Sequence, residues 1–302
     1  MFKPIRLIPD NPNINFLKFR WPAITMSFIL VLISIVLCFA PGLNFGIDFK
    51  GGLVIEAKFK TAPDVAALRT ELNALDLGQI TLQQVGADAS DVMFRIPQQP
   101  GGDADNQTAI AAVRAHFTDR VAEYRRIEAV GPQVGGELIK TSLYAVLLSI
   151  GGTLAYLWFR FDRGFSIAAI TALIHDVALT LGFFAIFHLD FDLSTVAAVL
   201  LISGYSLNDT VVVFDRIRED MRKYKSKSFL EIAHIALNET LFRTMMTSGT
   251  TLLVLVSLFV FGGEVIRNFT IALIFGILVG TYSSIFVATP VWLLLEKKKP
   301  KA

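Results

Sequence analysis

The sequence predicts an α-helical membrane protein with six transmembrane helices and a small α+β domain of the ferredoxin-like (βαββαβ) type. Of the 302 residues, 53% are hydrophobic and only 18% are charged, and the mean hydropathy is +0.56. Such a composition is unusual for a soluble domain. Six apolar segments each reach the roughly 20 residues that a helix needs to cross a bilayer core. One long polar interval separates the first apolar segment from the other five.

The six predicted spans lie at approximately 22–41, 138–159, 164–187, 194–214, 244–262 and 268–293. They divide the chain into three regions. Residues 1–42 hold the N-terminus and the first helix, 43–137 form a head domain, and 138–302 hold helices two to six.

The distribution of basic residues predicts the topology. Lys and Arg cluster before the first span, between the second and third, after the fourth and at the end of the chain: Lys3, Arg6, Lys18, Arg20, Arg160, Arg163, Arg216, Arg218, Arg222, Lys223, Lys225, Lys227, Lys297, Lys298, Lys299 and Lys301. The opposite turns hold almost none. Because cytoplasmic loops collect positive charge, we expect both termini in the cytoplasm and the head domain outside it.

The head interval has the pattern of a small α+β domain. Leu53, Ile55, Ala57 and Phe59 alternate with other residues, as in a half-buried strand. Further strands are predicted at 80–85, 92–96 and 124–130, and helices at 63–76 and 107–117. This order is βαββαβ, which is the ferredoxin-like arrangement.

Residues 215–243 mix charged and apolar side chains between the fourth and fifth spans. One interpretation is an amphipathic helix that lies against membrane lipids at the cytoplasmic interface. The other is a solvated connector whose basic residues only fix the topology. The sequence leaves both open. A basic tail closes the chain.

No soluble catalytic or cofactor site is predicted. The histidines (His116, His175, His188 and His234) are scattered, and no Cys–His metal spacing or Walker-type phosphate loop occurs. We therefore expect neither an enzyme with its own ATPase site nor a metal or organic cofactor. Nothing in the sequence indicates a nucleic-acid partner.

Ionisable residues inside the third span are the first candidate functional groups. Asp176 lies about 12 residues into this span, or ~18 Å, which places it near the bilayer midplane. Asp176 continues a stripe of small or polar residues with Ala168, Ala172 and Thr180. The neighbouring His175 could exchange protons near neutral pH. Both residues could instead form only interhelical hydrogen bonds, worth about 0.6–2 kcal/mol.

Asp209 is the second candidate, because a carboxyl group inside a span costs about 2.5–3.5 kcal/mol to insert. Asp209 precedes Asp215 by six residues, so it lies roughly 9 Å below the cytoplasmic boundary. Ser206 shares its helix face, and Asn208 adds a neutral polar group beside it. Arg243, at the start of the fifth span, could pair with Asp209 or could simply extend to the lipid headgroups.

Four motifs give the chain a family resemblance. They are FGIDFKGG at 45–52, VGPQVGGE at 130–137, HD at 175–176 and GYSLNDTVVVFDRIRE at 204–219. In these motifs, and in their order along nearly the whole chain, the sequence resembles the SecF family. SecF is the smaller subunit of the bacterial SecDF protein-export complex, which is related to resistance-nodulation-division exporters.

The resemblance implies a multi-pass protein of the bacterial inner membrane whose head is periplasmic. It implies SecD as the partner that supplies the other six helices, and the SecYEG translocon, YajC and YidC as associated proteins. Protons, or sodium ions in some bacteria, would drive movement of periplasmic domains that pull exported unfolded polypeptides out of the channel. No ATP hydrolysis in this subunit is implied.

Individual positions also take roles from the resemblance. Asp209 matches the family's transmembrane carboxylate implicated in ion transport, and Arg243 matches its arginine. His175 and Asp176 match a motif without an assigned role. Apart from the resemblance, we expect helix motion to reach the head through the 131–137 connector and through the turn that holds Asp48, Gly51 and Gly52.

The working hypothesis is that protonation of Asp209 weakens its interaction with Arg243 or with SecD and lets the helices shift. The alternatives are a small-molecule exporter subunit of the same superfamily and a passive scaffold for translocon partners.

Overall fold

The computed structural model describes residues 12–78, 80–85, 89–263 and 266–296. It divides into two compact units. The membrane unit comprises Met1–Asn44, Val146–Leu189 and Ser194–Ala302, and the head unit comprises Phe45–Ala145 and Asp190–Leu193. The predicted basic C-terminal tail, Lys3, Arg6 and the first part of the turn predicted between the second and third head strands lie outside the described residues.

In chain order the elements are α1 (Arg20–Leu37), β1 (Asn44–Phe45), α2 (Ile47–Lys50), β2 (Gly52–Phe59), α3 (Val65–Asn73), β3 (Thr81–Gln84), β4 (Asp91–Ile96), α4 (Asp103–His116), β5 (Val121–Val130), α5 (Pro132–Arg160), α6 (Arg163–Ile186), β6 (Asp190–Phe191), α7 (Leu193–Lys223), α8 (Phe229–Phe261), α9 (Arg267–Ser283) and α10 (Thr289–Glu296). A 3₁₀ turn at Phe16–Phe19 precedes α1, and π-helical turns at Cys38–Gly42 and Ser284–Ala288 follow α1 and α9.

Six helices in the described part of the chain are long and apolar enough to cross a membrane. They are Phe16–Ala40, Val134–Arg160, Arg163–Ile186, Leu193–Lys223, Phe229–Phe261 and Arg267–Glu296. The predicted set of six spans is therefore confirmed. Their side chains are unevenly buried: about half of the most apolar stretch is buried in the third, fourth and sixth spans, but only 6% in the second and 17% in the fifth.

Residues 215–243 do not form a helix of their own, and their predicted position at the cytoplasmic interface stays a prediction. Helix α7 continues to Lys223, and α8 already begins at Phe229. Helix α7 continues because Ile217 and Asp220 stay fully buried on its inner face. A capping box starts α8: the backbone N–H of Glu231 donates to Oγ of Ser228, and the Glu231 carboxylate accepts from the Ser228 backbone N–H.

The described part of the head unit contains a four-stranded antiparallel sheet that packs on helices α3 and α4. Its strand order is β3-β4-β2-β5, so β2, the first of these four strands in sequence, lies between β4 and β5. Leu53, Ile55, Ala57 and Phe59 are at most 2% exposed, and they pack on helices α3 and α4. Glu56, on the other face of β2, is also buried, so β2 is covered on both faces as a central strand should be.

Close helix contacts in the membrane unit depend on glycine. A Cβ atom on Gly280 of α9 would lie 3.0 Å from Cβ of Ser206 on α7. Gly276, one turn earlier, faces Ile202 in the same way. Small residues allow such close approach of helix backbones. This approach is what brings hydroxyl groups of α9 within reach of the carboxyl groups on the neighbouring helices.

Candidate functional site

Three carboxyl groups are buried among the described residues of the membrane unit. Asp176 and Asp209 lie within the predicted spans, whereas Asp220 lies near the end of α7. Asp176 of α6 is 0% exposed and Asp209 of α7 is 2% exposed. Small neighbours make room for them. Ala172 and Thr180, one turn before and after Asp176, are themselves buried. The stripe predicted from the sequence therefore faces protein rather than lipid.

Asp176 has three hydrogen-bonding partners from three helices. Its Oδ1 lies 2.8 Å from Nδ1 of the adjacent His175. Its Oδ2 accepts from Oγ of Ser283 on α9 at 2.7 Å and from Oγ of Ser206 on α7. A buried carboxyl group is tolerated when its oxygen atoms are satisfied in this way. Asp176 thus joins α6, α7 and α9.

Asp209 is held less closely. Oγ1 of Thr247 lies 3.5 Å from its Oδ1, and Oγ of Ser248 lies 3.4 Å from its Oδ2. Both distances are at the long limit for hydroxyl donors, which normally lie 2.5–3.0 Å from the acceptor. Both hydroxyls also have shorter contacts elsewhere: Thr247 donates to the carbonyl of Thr244 at 3.0 Å, and Ser248 lies 2.7 Å from Thr281. Asp209 is therefore buried with weak local hydrogen bonding.

The two carboxyl groups lie in two hydrogen-bonded clusters that share helices α7 and α9, and we call the clusters together the polar ring. One cluster is Asp176, Ser206 and Ser283, and the other is Asp209, Thr247, Ser248 and Thr281. Ser206 and Asp209 are one turn apart on α7, and Thr281 and Ser283 are close in sequence on α9. Four helices contribute to the ring. A change of charge at either carboxyl group would therefore be felt by hydroxyl groups on several helices.

His175 extends the ring towards α1. Its imidazole stacks on Tyr282 with ring centroids 6.2 Å apart, and the Tyr282 hydroxyl lies 3.2 Å from Oγ of Ser27. The Nε2 atom of His175 is buried and has no hydrogen-bond partner among the described residues. His175 and Asp176 are the pair that the sequence singled out, and the structure brings them into direct contact.

Arg243 and Asn208 lie on exposed surfaces of the helices. Among the described residues, Arg243 has no salt-bridge partner within 4 Å, and Asp209 is therefore not paired with it. Arg243 nevertheless lies one turn before Thr247, on the side of α8 that approaches Asp209. Ser206, by contrast, is directly bonded, but to Asp176 rather than to Asp209.

Sequence reasoning missed the hydroxyl groups of α8 and α9. Thr247, Ser248, Thr281 and Ser283 complete the polar ring, and none was predicted. A signal was present, because Thr244, Thr247, Ser248 and Thr251 recur at helical spacing within an otherwise apolar span.

In the head unit, the Asp48–Gly52 turn holds the beginning of α7. Oδ2 of Asp48 accepts from the backbone N–H of Leu193, the first residue of α7, at 2.8 Å. A carboxylate is favoured there by the unpaired N–H groups of a helix start. Gly51 and Gly52 have φ angles of +73° and +119°. A Cβ atom on Gly52 would lie 2.6 Å from the carbonyl oxygen of Ile96, so only glycine fits.

Residues Asp190–Leu193, which we call the coupling loop, pack within the head unit although they join two membrane helices. Arg95 of β4 forms a salt bridge with Asp190. Burial lowers the pKa of Arg95, and the nearby Asp192 carboxylate opposes that shift. Phe191 stacks on Phe49 with centroids 6.1 Å apart. The loop thus has an ionic and an aromatic attachment to the head.

No group of three or more His, Cys, Asp or Glu side chains that could hold a metal ion is found in the parts of the chain that the structure describes.

Two family profiles match the chain. The profile described as protein export membrane protein SecD/SecF, C-terminal, matches residues 110–298. The profile of the SecD/SecF GG motif matches residues 36–63, which include Asp48, Gly51 and Gly52. The two profiles therefore cover the polar ring and the turn that holds α7.

Curated relatives are similar over almost the full length. The chain is 42% identical over 297 residues to the protein translocase subunit SecF of Rickettsia akari, covering 98% of this chain and 96% of that protein. It is 40% identical over 320 residues to the protein translocase subunit SecF of Rhodobacter capsulatus, covering 98% and 95%.

Two solved structures are also similar. The crystal structure of SecDF, a translocon-associated membrane protein from Thermus thermophilus, matches 98% of this chain with a TM-score of 0.87 and 33% identity. A crystal structure of SecDF in a super-membrane-facing form matches 99% with a TM-score of 0.72 and 33% identity. The chain spans 40% of the length of each of these SecDF chains.

Proposed function

Because the chain belongs to the SecD/SecF family of protein-export membrane proteins, we propose that it is a SecF-type subunit that uses an ion gradient to promote protein export. The loosely held Asp209 is the observation that carries this proposal. It is buried among membrane helices, yet its two hydroxyl contacts are long. A carboxyl group in that position can gain or lose a proton without breaking strong local bonds.

The energy available from ion movement is sufficient for a conformational change. One proton that crosses a potential of about 150 mV releases roughly 3.5 kcal/mol. That free energy shifts a two-state equilibrium by roughly a few hundred-fold. Protons or sodium ions would serve as the coupling ion, and no ATP hydrolysis by this subunit is required.

The path from Asp209 to the head follows α7. Asp209 lies 16 residues after Leu193 on the same helix. Asp48 holds the first N–H of α7, and Arg95 holds the coupling loop just before it. We infer that a shift of α7 pulls on the head sheet through these contacts. The different TM-scores of the two SecDF structures at equal identity support a family that adopts more than one arrangement.

The proposed partner is a SecD-like chain. The solved SecDF chains are longer than this chain by more than half of their own length, which leaves room for a second set of helices. Most side chains in the apolar stretches of α5 and α8 are exposed, and Asn208 and Arg243 lie on exposed surfaces. These surfaces suit contact with a SecD-like partner. SecYEG, YajC and YidC are the further proposed partners, and unfolded exported polypeptides are the proposed substrates.

The proposed location is the bacterial inner membrane, with both termini in the cytoplasm and the head in the periplasm. The clustering of Lys and Arg supports this orientation. The strand order β3-β4-β2-β5, with every neighbouring pair antiparallel, supports a ferredoxin-like periplasmic domain.

Asp209→Asn is the direct test, carried out in a deletion strain complemented with the variant and a SecD-like partner. Precursor export and ion flux should fall at least tenfold, while the variant still assembles with its partner. Asp215→Asn is a matched control on the same helix, because the Asp215 side chain is 42% exposed and pairs with Arg160 at the helix end. Undiminished export and flux in Asp209→Asn would rule the relay out. Loss of assembly instead of activity would favour a scaffold role.

A further inference from the structure

A cavity of about 540 Å³ opens at the basic end of the membrane unit. It lies between the residues that enter α1 and the first two turns of α8. Lys18, Arg20 and Trp21 line one side, and Lys227, Glu231 and His234 line the other. None of these residues takes part in the polar ring.

The cavity presents more cations than anions. Three lining residues are cationic, namely Lys18, Arg20 and Lys227, and the one carboxylate of the lining is that of Glu231. One oxygen of that carboxylate is already occupied, since Oε2 of Glu231 accepts from the backbone N–H and the hydroxyl of Ser228, each at 2.8 Å. Among the described residues, none of the three cations forms a salt bridge within 4 Å. The cavity therefore suits a ligand that carries negative charge.

A small apolar groove of about 20 Å³ adjoins the cavity. The groove shares Arg20, Trp21 and Leu230 with the cavity and extends to Ile24 and Leu294. Trp21 is 55% exposed at this junction, as is typical of an aromatic side chain at a membrane interface. A cationic chamber joined to an apolar groove matches a molecule with an anionic head and an acyl chain.

We propose that this chamber and groove form a binding site for an anionic phospholipid, with the phosphate near Lys18, Arg20 and Lys227 and the first methylene groups of an acyl chain against Ile24 and Leu294. Basic pockets between membrane helices suit anionic lipid headgroups. A bound lipid would hold the entry of α1 against the start of α8, the helix that supplies Thr247 and Ser248 to the polar ring. The proposal is independent of the ion-relay function.

The test uses the full chain purified in detergent together with its membrane partner. Native mass spectrometry would count the retained phosphatidylglycerol, with phosphatidylcholine of the same acyl chains and inorganic phosphate as comparison probes. The variant Lys18→Gln/Arg20→Gln/Lys227→Gln should bind phosphatidylglycerol at least tenfold more weakly than the unaltered chain. The matched control Arg222→Gln/Lys223→Gln/Lys225→Gln removes the same number of charges outside the cavity and should bind normally.

Three outcomes would overturn the proposal. They are equal binding of phosphatidylglycerol and phosphatidylcholine, equal loss in the two triple variants, and displacement by inorganic phosphate at the concentration at which phosphatidylglycerol binds. The last outcome would indicate a site for soluble anions.

Thermal unfolding in phosphatidylcholine micelles checks the fold: an unchanged midpoint in the cavity variant is expected. If that midpoint falls, Trp21→Ala and Ile24→Gln replace the triple variant, and normal phosphatidylglycerol binding by both would reject the site.

Discussion

Asp176 and Asp209 are both buried carboxyl groups in neighbouring helices, yet their surroundings differ. Asp176 has contacts at 2.7 and 2.8 Å and a further serine donor. Asp209 has two contacts at 3.4 and 3.5 Å. A fully satisfied buried polar network fixes a structure, whereas a weakly satisfied group is easier to reorganise. The comparison indicates that Asp176 holds the helices together, and in the proposed function Asp209 is the group whose charge changes.

The position of Ser206 sharpens this difference. Ser206 lies one turn before Asp209 but donates its hydroxyl to Asp176. A movement of α7 that alters Asp209 must therefore strain or break the bond from Ser206 to Asp176. The two carboxyl groups are thus coupled through α7 even though their roles differ.

The largest predicted effect is on stability at Asp176. Asp176→Ala leaves Ser206 and His175 without their partner, at about 1–3 kcal/mol for each buried group, whereas Ser283 keeps a 3.1 Å contact with the carbonyl of Gly280. We expect the free energy of unfolding in detergent to fall by about 3 kcal/mol or more. Asp209→Ala should cost only about 1 kcal/mol, because the hydroxyls of Thr247 and Ser248 keep their shorter contacts. Equal losses would contradict the assignment of a structural role to Asp176.

A smaller effect is predicted for Gly280→Ala. Its Cβ would lie 3.0 Å from Cβ of Ser206, and overpacking of this kind costs about 1–3 kcal/mol. Ser206 would be pushed away from Asp176, so export should fall together with stability. Gly204→Ala is the control, since its Cβ would meet no atom within 4 Å. Alanine there should be neutral or stabilising by up to about 1 kcal/mol. Normal export in Gly280→Ala would show that the Ser206 bond is dispensable.

The sequence predicted the six spans, the sheet and the buried position of both carboxyl groups because each leaves a local pattern. Apolar length identifies a span, alternation identifies a strand, and an acid inside an apolar run stands out by its cost. His175 and Asp176 are adjacent in sequence, so their contact could also be anticipated.

The partners of the carboxyl groups could not be predicted. Ser206 shares a helix face with Asp209, yet it bonds to Asp176, because the choice depends on how closely α9 approaches at Gly280. Ser283 was missed because a single serine in an apolar helix has many possible positions. Helix α7 also continues past the apolar segment that ends near 214, because Ile217 and Asp220 remain buried on its inner face.

Loosening the coupling loop is expected to have a moderate effect. Arg95→Gln removes the salt bridge to Asp190, and an ion pair this shielded is worth about 1 kcal/mol. Hydrogen exchange of the coupling loop should become roughly fivefold faster, and export should fall. The loss in free energy of unfolding that Asp176→Ala causes should be the same with and without Arg95→Gln. Arg69→Gln, an exposed change on α3, is the control. If export is normal despite faster exchange, α7 does not transmit motion through this loop.

The smallest effect is expected at Glu71, a carboxylate held by charge at the head surface. The hydrogen bond from Arg120, 2.6 Å long, holds the pKa of Glu71 below its ordinary value. Because the pKa of Glu71 is lower in the folded than in the unfolded state, its interaction with Arg120 contributes to the free energy of unfolding. This contribution is complete above the unfolded pKa of about 4.3. It is lost as the pH falls from there through the folded pKa. Solvent screening limits it to about 0.2–1 kcal/mol.

Hydrogen exchange of the head strands, measured in the full chain between pH 6 and pH 3, tests this expectation after correction for the intrinsic pH dependence of exchange. Glu71→Gln should remove a small part of the acid sensitivity of the head. Glu123→Gln is a control, because the structure gives Glu123 no salt bridge among the described residues. An effect at Glu71 as large as that of Asp176→Ala would mean that surface charge, rather than buried hydrogen bonding, dominates the stability of this protein. In that case the contrast between the two membrane carboxyl groups would lose its physical basis.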